Sequence, residues 1–211
     1  RLISLFFRIR SMQALATPTP DARQRLLDAA CEAFREEGYR VSIDRIAARA
    51  QVARQTVYNH FGSKDGLFAE VVGQVIESVL VTLDGDQDVR ATLMAFGDAY
   101  RKKLLSPEGL AIFRTMTSEA PRFPELARQF FQQGPFTTRK RLAGYLARAM
   151  DAGRLGRADP DFAAEMLTAM LVDYDRLRGL LDPQAHHPSP AKTAHVVDCF
   201  LQAFAPVKDQ P

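Results

Sequence analysis

The stretch VARQTVYNHFGSKDGL, residues 52–67, decides how this chain is read. On a helical wheel at about 100° per residue, Val57 and Phe61 fall together on one side of a helix over residues 54–61. Gln55 and Asn59 fall nearly opposite, Thr56 and Tyr58 flank them, His60 lies further round, and Arg54 opens the helix. About two turns with two apolar anchors have little intrinsic stability. Neighbours must hold such a helix, and its polar side must face something other than core. Gly62 stops it, and Ser63 can cap the next one. Lys64 then falls in a first turn, where the positive end of the helix dipole disfavours a cation. A phosphate there would reverse the penalty and accept the free backbone N–H groups.

The preceding stretch supplies the holder. In SIDRIAARAQVA, residues 42–53, Ser42 can cap a helix that carries Ile43, Ile46, Ala47 and Ala50 inward. The small Ala47 lies where two helices must approach, and a brief turn at Gln51 and Val52 follows. Helix, short turn and short polar helix is the spacing of a helix-turn-helix, whose second helix enters the major groove of DNA. The residue types suit that place. Arg54 can read guanine, Gln55 and Asn59 adenine, and the Thr56 methyl can meet a thymine methyl. Tyr58 and His60 suit phosphate and so fix register. Ser42 and Lys64 complete the candidate DNA contacts. Between Tyr39 and Gly66, Arg40, Arg45, Arg49, Arg54 and Lys64 outnumber Asp44 and Asp65. Each residue alone reads as ordinary solvated surface; the joint pattern carries the assignment.

With LLDAACEAFREEGY (26–39) ahead of SIDRIAARAQVARQTVYNHFGSKDGLF (42–68), residues from about 20 to 80 resemble the DNA-binding domain of the TetR family of transcriptional regulators. The spacing Tyr58, Phe61, Lys64, Leu67 is the most specific part. The resemblance implies a third helix that reads a near-palindromic double-stranded DNA operator, with Tyr58 and Lys64 on phosphate. Two positions depart from the family pattern. Gln51 stands where the turn usually has glycine, which implies either a strained turn or a different turn geometry. Ala53 stands where serine or threonine usually caps the helix, forfeiting about 1 kcal/mol.

The rest of the chain reads the same way. Helical periodicity recurs and no alternating apolar pattern is sustained, so the expected fold is all-α. The expected domains are an N-terminal helix-turn-helix domain of three helices over 19–83 and a larger helical domain over 84–205. An extension over 1–18, containing RLISLFFRIR, precedes them and a tail over 206–211 follows; Met12 is the candidate natural start. The chain has 211 residues, a net charge of +3 and 46% hydrophobic residues, ordinary for a soluble globular protein. No apolar run reads as transmembrane, so a cytoplasmic protein with no membrane partner is expected. Cys31 and Cys199 read as reduced core thiols.

The family resemblance implies that the larger domain senses a ligand and forms a homodimer. It also implies a repressor released by a small, lipophilic effector; a DNA-binding protein without an effector, or a metal-responsive regulator, is the alternative. EGLAIFRTMTSEAPRFPELARQFF (108–131) resembles the C-terminal domain of one TetR subset. Phe96, Tyr100, Phe113, Met116, Phe123, Phe131, Met166, Met170 and Tyr174 are the candidate pocket residues, since aromatic and methionine side chains re-pack around varied ligands. Each also reads as plain core. The last two helices are apolar round much of their circumference and must be covered on more than one side. Phe162, Leu177, Leu181, Val196, Val197, Phe200 and Phe204 are therefore the candidate dimer contacts, in a four-helix bundle about a two-fold axis. His195 and Cys199 are four apart, but two ligands make no metal site. No nucleophile–base set and no phosphate-binding glycine loop appears, so neither an enzyme nor a cofactor is expected.

Overall fold

The computed structural model describes residues 21–84, 88–182, 184, 189 and 191–206. The described residues form helices and no strand. In chain order they are α1 (Ala22–Glu37), a 3-10 turn (Gly38–Arg40), α2 (Ile43–Arg49), α3 (Arg54–Phe61) and α4 (Lys64–Leu80), the last extended by a 3-10 turn (Val81–Asp84). Then follow α5 (Val89–Leu104), α6 (Pro107–Glu119), α7 (Pro124–Phe131), a π-helical turn (Gln132–Phe136), α8 (Thr137–Asp151), α9 (Pro160–Leu181) and α10 (Lys192–Ala203). The extension over 1–18 lies outside the described residues, as does the tail beyond Pro206.

Side-chain caps set most helix starts. Asp21 accepts from Gln24 N at 2.8 Å, and Ser42, Ser63, Asp88, Ser106 and Asp159 cap their own helices in the same way. By residue type Thr19 reads as the cap, Pro20 as a first-turn proline and Asp21 as a first-turn acid; Thr19 and Pro20 lie outside the described residues, and the cap is Asp21. Gly38 ends α1 at φ 67° and Gly62 ends α3 at φ 71°, a left-handed conformation that glycine adopts without a Cβ penalty.

α4 is the central element. Leu67, Phe68, Val71, Val72, Ile76, Val79 and Leu80 are buried, and the helix packs on α1, α3, α5, α7, α8 and the π-helical turn. By length and composition alone, Lys64–Asp84 is apolar enough to cross a membrane, with a mean hydropathy of 1.6 over its most apolar window. This corrects the sequence expectation that no run reaches that length. Its buried apolar side chains pack into the core, while Val81 is exposed.

Helical periodicity over about 124–152 reads as one longer helix with Gly134 and Pro135 as the candidate interruption, and the helix is interrupted there. Proline has no N–H to donate to the carbonyl of the preceding turn, and the chain widens to π geometry. Thr137 and Thr138 hydroxyls then donate to the carbonyls of Gln132 at 2.7 Å and Gly134 at 2.9 Å. Further on, α9 packs along α8, and α10 along α5. Gly97 lets α5 approach its neighbours closely: a Cβ there would sit 2.6 Å from Thr193 Cγ2 and 3.2 Å from Leu171 Cδ2.

One buried charge escaped the sequence reading. Arg101 is 5% exposed. It donates to the Leu171 carbonyl, to Asp175 at 2.7 Å and to the Ser189 carbonyl at 3.3 Å, and Lys192 meets the same Asp175 at 3.1 Å. The network ties α5, α9 and α10. Desolvation would raise the Asp175 pKa, but the bonds from Arg101 and Lys192 outweigh it and hold that carboxyl below its ordinary range. The cysteines correct an expectation, since Cys31 is exposed and Cys199 half-buried.

Candidate nucleic-acid interface

The expected helix-turn-helix forms with its corner at Gln51, whose φ of 56° makes it the non-glycine residue in the left-handed region among those described. Its N–H donates to the Ala48 carbonyl at 3.1 Å, and Val52 N–H to the Ala47 carbonyl at 3.0 Å, which closes the corner despite the strain. Ala53 takes the cap position of α3 and makes no side-chain cap bond.

α3 is held by α1, α2 and α4. Val57 is fully buried and Phe61 packs against the core, while Arg23 lies 5.5 Å above the Phe61 ring. Gln55, Asn59 and His60 are exposed, and Thr56 and Tyr58 half-exposed. Ser42 is exposed at the start of α2, where its hydroxyl accepts from Arg45 N at 3.2 Å. The polar face is organised internally. Gln55 Nε2 donates to Asn59 Oδ1 at 3.1 Å. That leaves the Gln55 oxygen as an acceptor and the Asn59 amide N–H groups as donors. Arg54 donates to the Tyr58 hydroxyl at 3.2 Å and pairs with Asp44 at 3.2 Å. The Tyr58 bond, with Asp44 beside it, holds the guanidinium still more firmly protonated.

Lys64 is placed differently from expectation. Its ammonium donates to the Tyr39 carbonyl and lies 4.2 Å from the Tyr39 ring centroid. Burial holds its pKa below the ordinary lysine range, with Asp65 pulling the other way. The Tyr39 hydroxyl donates to Asp65, and burial followed by that carboxylate pushes the phenol pKa up. The cation in the first turn is thus already offset within the chain, before any phosphate is present.

The larger domain redistributes the expected pocket. Phe96 and Tyr100 stack 5.4 Å apart in the core, and burial pushes the Tyr100 pKa up to about 12. Met116 is buried, and Phe113 lies 4.4 Å beneath the Arg176 guanidinium. Met166 is partly buried against the core. Phe123, Phe131, Met170 and Tyr174 are exposed. Two clefts lie elsewhere. One of about 400 Å³ lies between His60, Glu70, Gly73 and Gln133, and one of about 140 Å³ between Met150, Arg157 and Pro160. The expected dimer residues divide as well. Phe162, Leu177 and Leu181 are exposed, whereas Val196, Val197 and Phe200 are buried within this chain, and Phe204 packs on Phe200 at 4.6 Å. Val196, Val197 and Phe200 fill the space against α5 and are not available to a second copy. Met170 and Tyr174 join the α9 stripe in their place. His195 Nε2 lies 4.0 Å from Cys199 Sγ, and among the described residues no group of three metal-capable side chains forms.

Family comparisons agree with this geometry. The family model of bacterial regulatory proteins of the tetR family matches residues 26–71, and that of the AefR-like transcriptional repressor C-terminal domain matches residues 91–206. YezE of Bacillus subtilis, an uncharacterized HTH-type transcriptional regulator, is 27% identical over 74% of this chain and 91% of its own. A structure from Mesorhizobium loti, of a TetR-family transcriptional regulator, is 26% identical with a TM-score of 0.70, covering 87% of this chain and 96% of its own. The flavonoid-responsive regulator FrrA is 29% identical with a TM-score of 0.64, covering 89% and 98%.

Proposed function

Since the chain belongs to the TetR family of bacterial transcriptional regulators, we propose that it is a homodimeric repressor that leaves a near-palindromic operator when a small, lipophilic effector enters its larger domain. One observation carries the reading. α3 is clamped by three helices, yet Gln55, Asn59 and His60 on its polar face are exposed, an arrangement suited to base edges. The match to a repressor C-terminal domain supports the repressor mode. The likeness to a flavonoid-responsive regulator favours a planar aromatic effector.

The Phe96–Tyr100 stack on α5, Phe113 on α6 and Arg176 on α9 form the proposed effector site. An aromatic ring entering there must displace α6. That helix abuts the DNA-binding half: Arg40 pairs with Glu119 at 2.9 Å, Arg35 with Glu108 at 3.8 Å, and Thr115 lies 3.5 Å from where a Gly38 Cβ would be. A shift of α6 therefore pulls on the segment between α1 and α2, and α3 follows. Such coupling requires the effector to bind the two arrangements with different affinity.

The test begins by recovering a preferred duplex from a random-sequence pool, then adding flavonoids and other planar aromatics. One of them is expected to raise the melting temperature and release that duplex. Phe113→Ala is expected to abolish the release while leaving DNA affinity within about twofold, since a distant pocket substitution acts additively. No thermal shift and no release across the panel would point to a regulator without a small effector.

A further inference from the structure

Arg54 opens the recognition helix, and its guanidinium is already held at two points. Nη1 lies 3.2 Å from Oδ2 and 3.4 Å from Oδ1 of Asp44, and Nη2 donates to the Tyr58 hydroxyl at 3.2 Å. The guanidinium carbon lies 5.6 Å from the Tyr58 ring centroid. The Arg54 and Asp44 side chains are 59% and 63% exposed, so a duplex seated on α3 meets both. The acid comes from α2, the arginine from α3. Arg45 and Arg49, the arginines of α2, pair back onto α1 through Glu37 and Glu36 at 2.7 Å each.

An arginine offers the same fork of N–H donors to a phosphate and to a guanine edge. Asp44 makes the two unequal. A phosphate approaching Arg54 exchanges one anion for another and sets a second negative charge beside the Asp44 carboxylate. A guanine edge is neutral; it takes the remaining N–H groups while Asp44 keeps its hold on Nη1. The like-charge cost falls on sequence-independent binding alone, which is how specificity is gained by penalising the wrong partner. We propose that Asp44 is a specificity-determining residue acting through Arg54, restraining it from phosphate and reserving it for a guanine edge.

This rests on α3 as the DNA reader, and the experiment separates the two. Asp44 also sits in the first turn of α2, where an acid favours the helix in any case; that role is independent of Arg54. Binding is measured across a salt series on the duplex that the unaltered protein enriches from a random pool, and on a scrambled duplex of the same composition. Asp44→Asn is expected to tighten binding to the scrambled duplex by about fivefold and to the enriched one by less than about twofold. It should also steepen the salt slope on the scrambled duplex by about 0.9, one further phosphate neutralised. In an Arg54→Ala background, Asp44→Asn should shift both duplexes equally and leave the slope unchanged. Equal gains on both duplexes with Arg54 present, or a selective gain that survives its removal, would overturn the proposal. If Gln55→Ala and Asn59→Ala alter sequence preference in that case, Asp44 fails alone. If they leave preference untouched, the reading of α3 fails with it.

Discussion

At the scale of one residue, the phosphate role expected of Lys64 and the contacts it makes within the chain place opposite demands on it. A phosphate clamp needs a free ammonium, whereas the Lys64 ammonium already donates to the Tyr39 carbonyl and lies over the Tyr39 ring. Tyr39 also bonds Asp65, so one side chain and its carbonyl grip two residues of the first turn of α4. Tyr39 in turn packs against Phe34, Phe68 and Phe123, which roots the grip in both halves of the chain. Lys64→Met is therefore expected to cost about 1–2 kcal/mol, the loss of a charged hydrogen bond discounted for partial exposure, as read by urea unfolding. Its DNA salt slope should flatten by clearly less than 0.9. A residue serving phosphate alone would do the reverse, losing close to 0.9 of slope with stability unchanged.

At the scale of elements, the strongest expectation concerns the joint between α5, α9 and α10. The Asp175 carboxyl, depressed by Arg101 and Lys192, stabilises the fold fully above the ordinary carboxylate pKa of about 4, and the contribution is lost as pH falls through the depressed value. Acid unfolding below about pH 4 should lose part of its steepness in Asp175→Asn. At neutral pH the same substitution should destabilise by about 3 kcal/mol, because Arg101 is left buried without its counter-charge. This joint was not legible in the sequence. Arg101 and Asp175 lie 74 residues apart, and an arginine among Lys102 and Lys103 looks like the solvated end of a helix. Local signals were legible: Ser42 and Ser63 cap where their residue types suggest, and Pro135 breaks the long helix. The α3 face was legible as well, because Val57 and Phe61 fix its rotation. What failed was the direction of apolar side chains on α9 and α10. Both helices are apolar on two sides, and only the position of α5 tells which side is inward.

At the scale of the whole molecule, that direction becomes a statement about assembly. Phe162, Met170, Tyr174, Leu177 and Leu181 recur at spacings of three, four or eight along α9 and are all exposed. One helical stripe of this length, left uncovered, is far more apolar than an ordinary surface. A two-fold interface presents the same patch from each copy, and two recognition helices at fixed separation are what a near-palindromic site requires. A second copy of this chain on α9 satisfies both conditions. Leu177→Glu with Leu181→Glu should then yield a folded monomer, since these side chains are 53% and 76% exposed and support no core. Sedimentation would show the halved mass, and operator affinity should fall by about a hundredfold or more as two linked half-site contacts become one. Phe200→Ala should fail in the opposite manner. It empties a fully buried position beneath α5, so about 3–5 kcal/mol of stability is lost, and whatever chain still folds should remain a dimer. If the glutamate pair leaves mass and operator affinity unchanged, the two-fold contact lies on another face, and the α9 stripe is covered by some other partner.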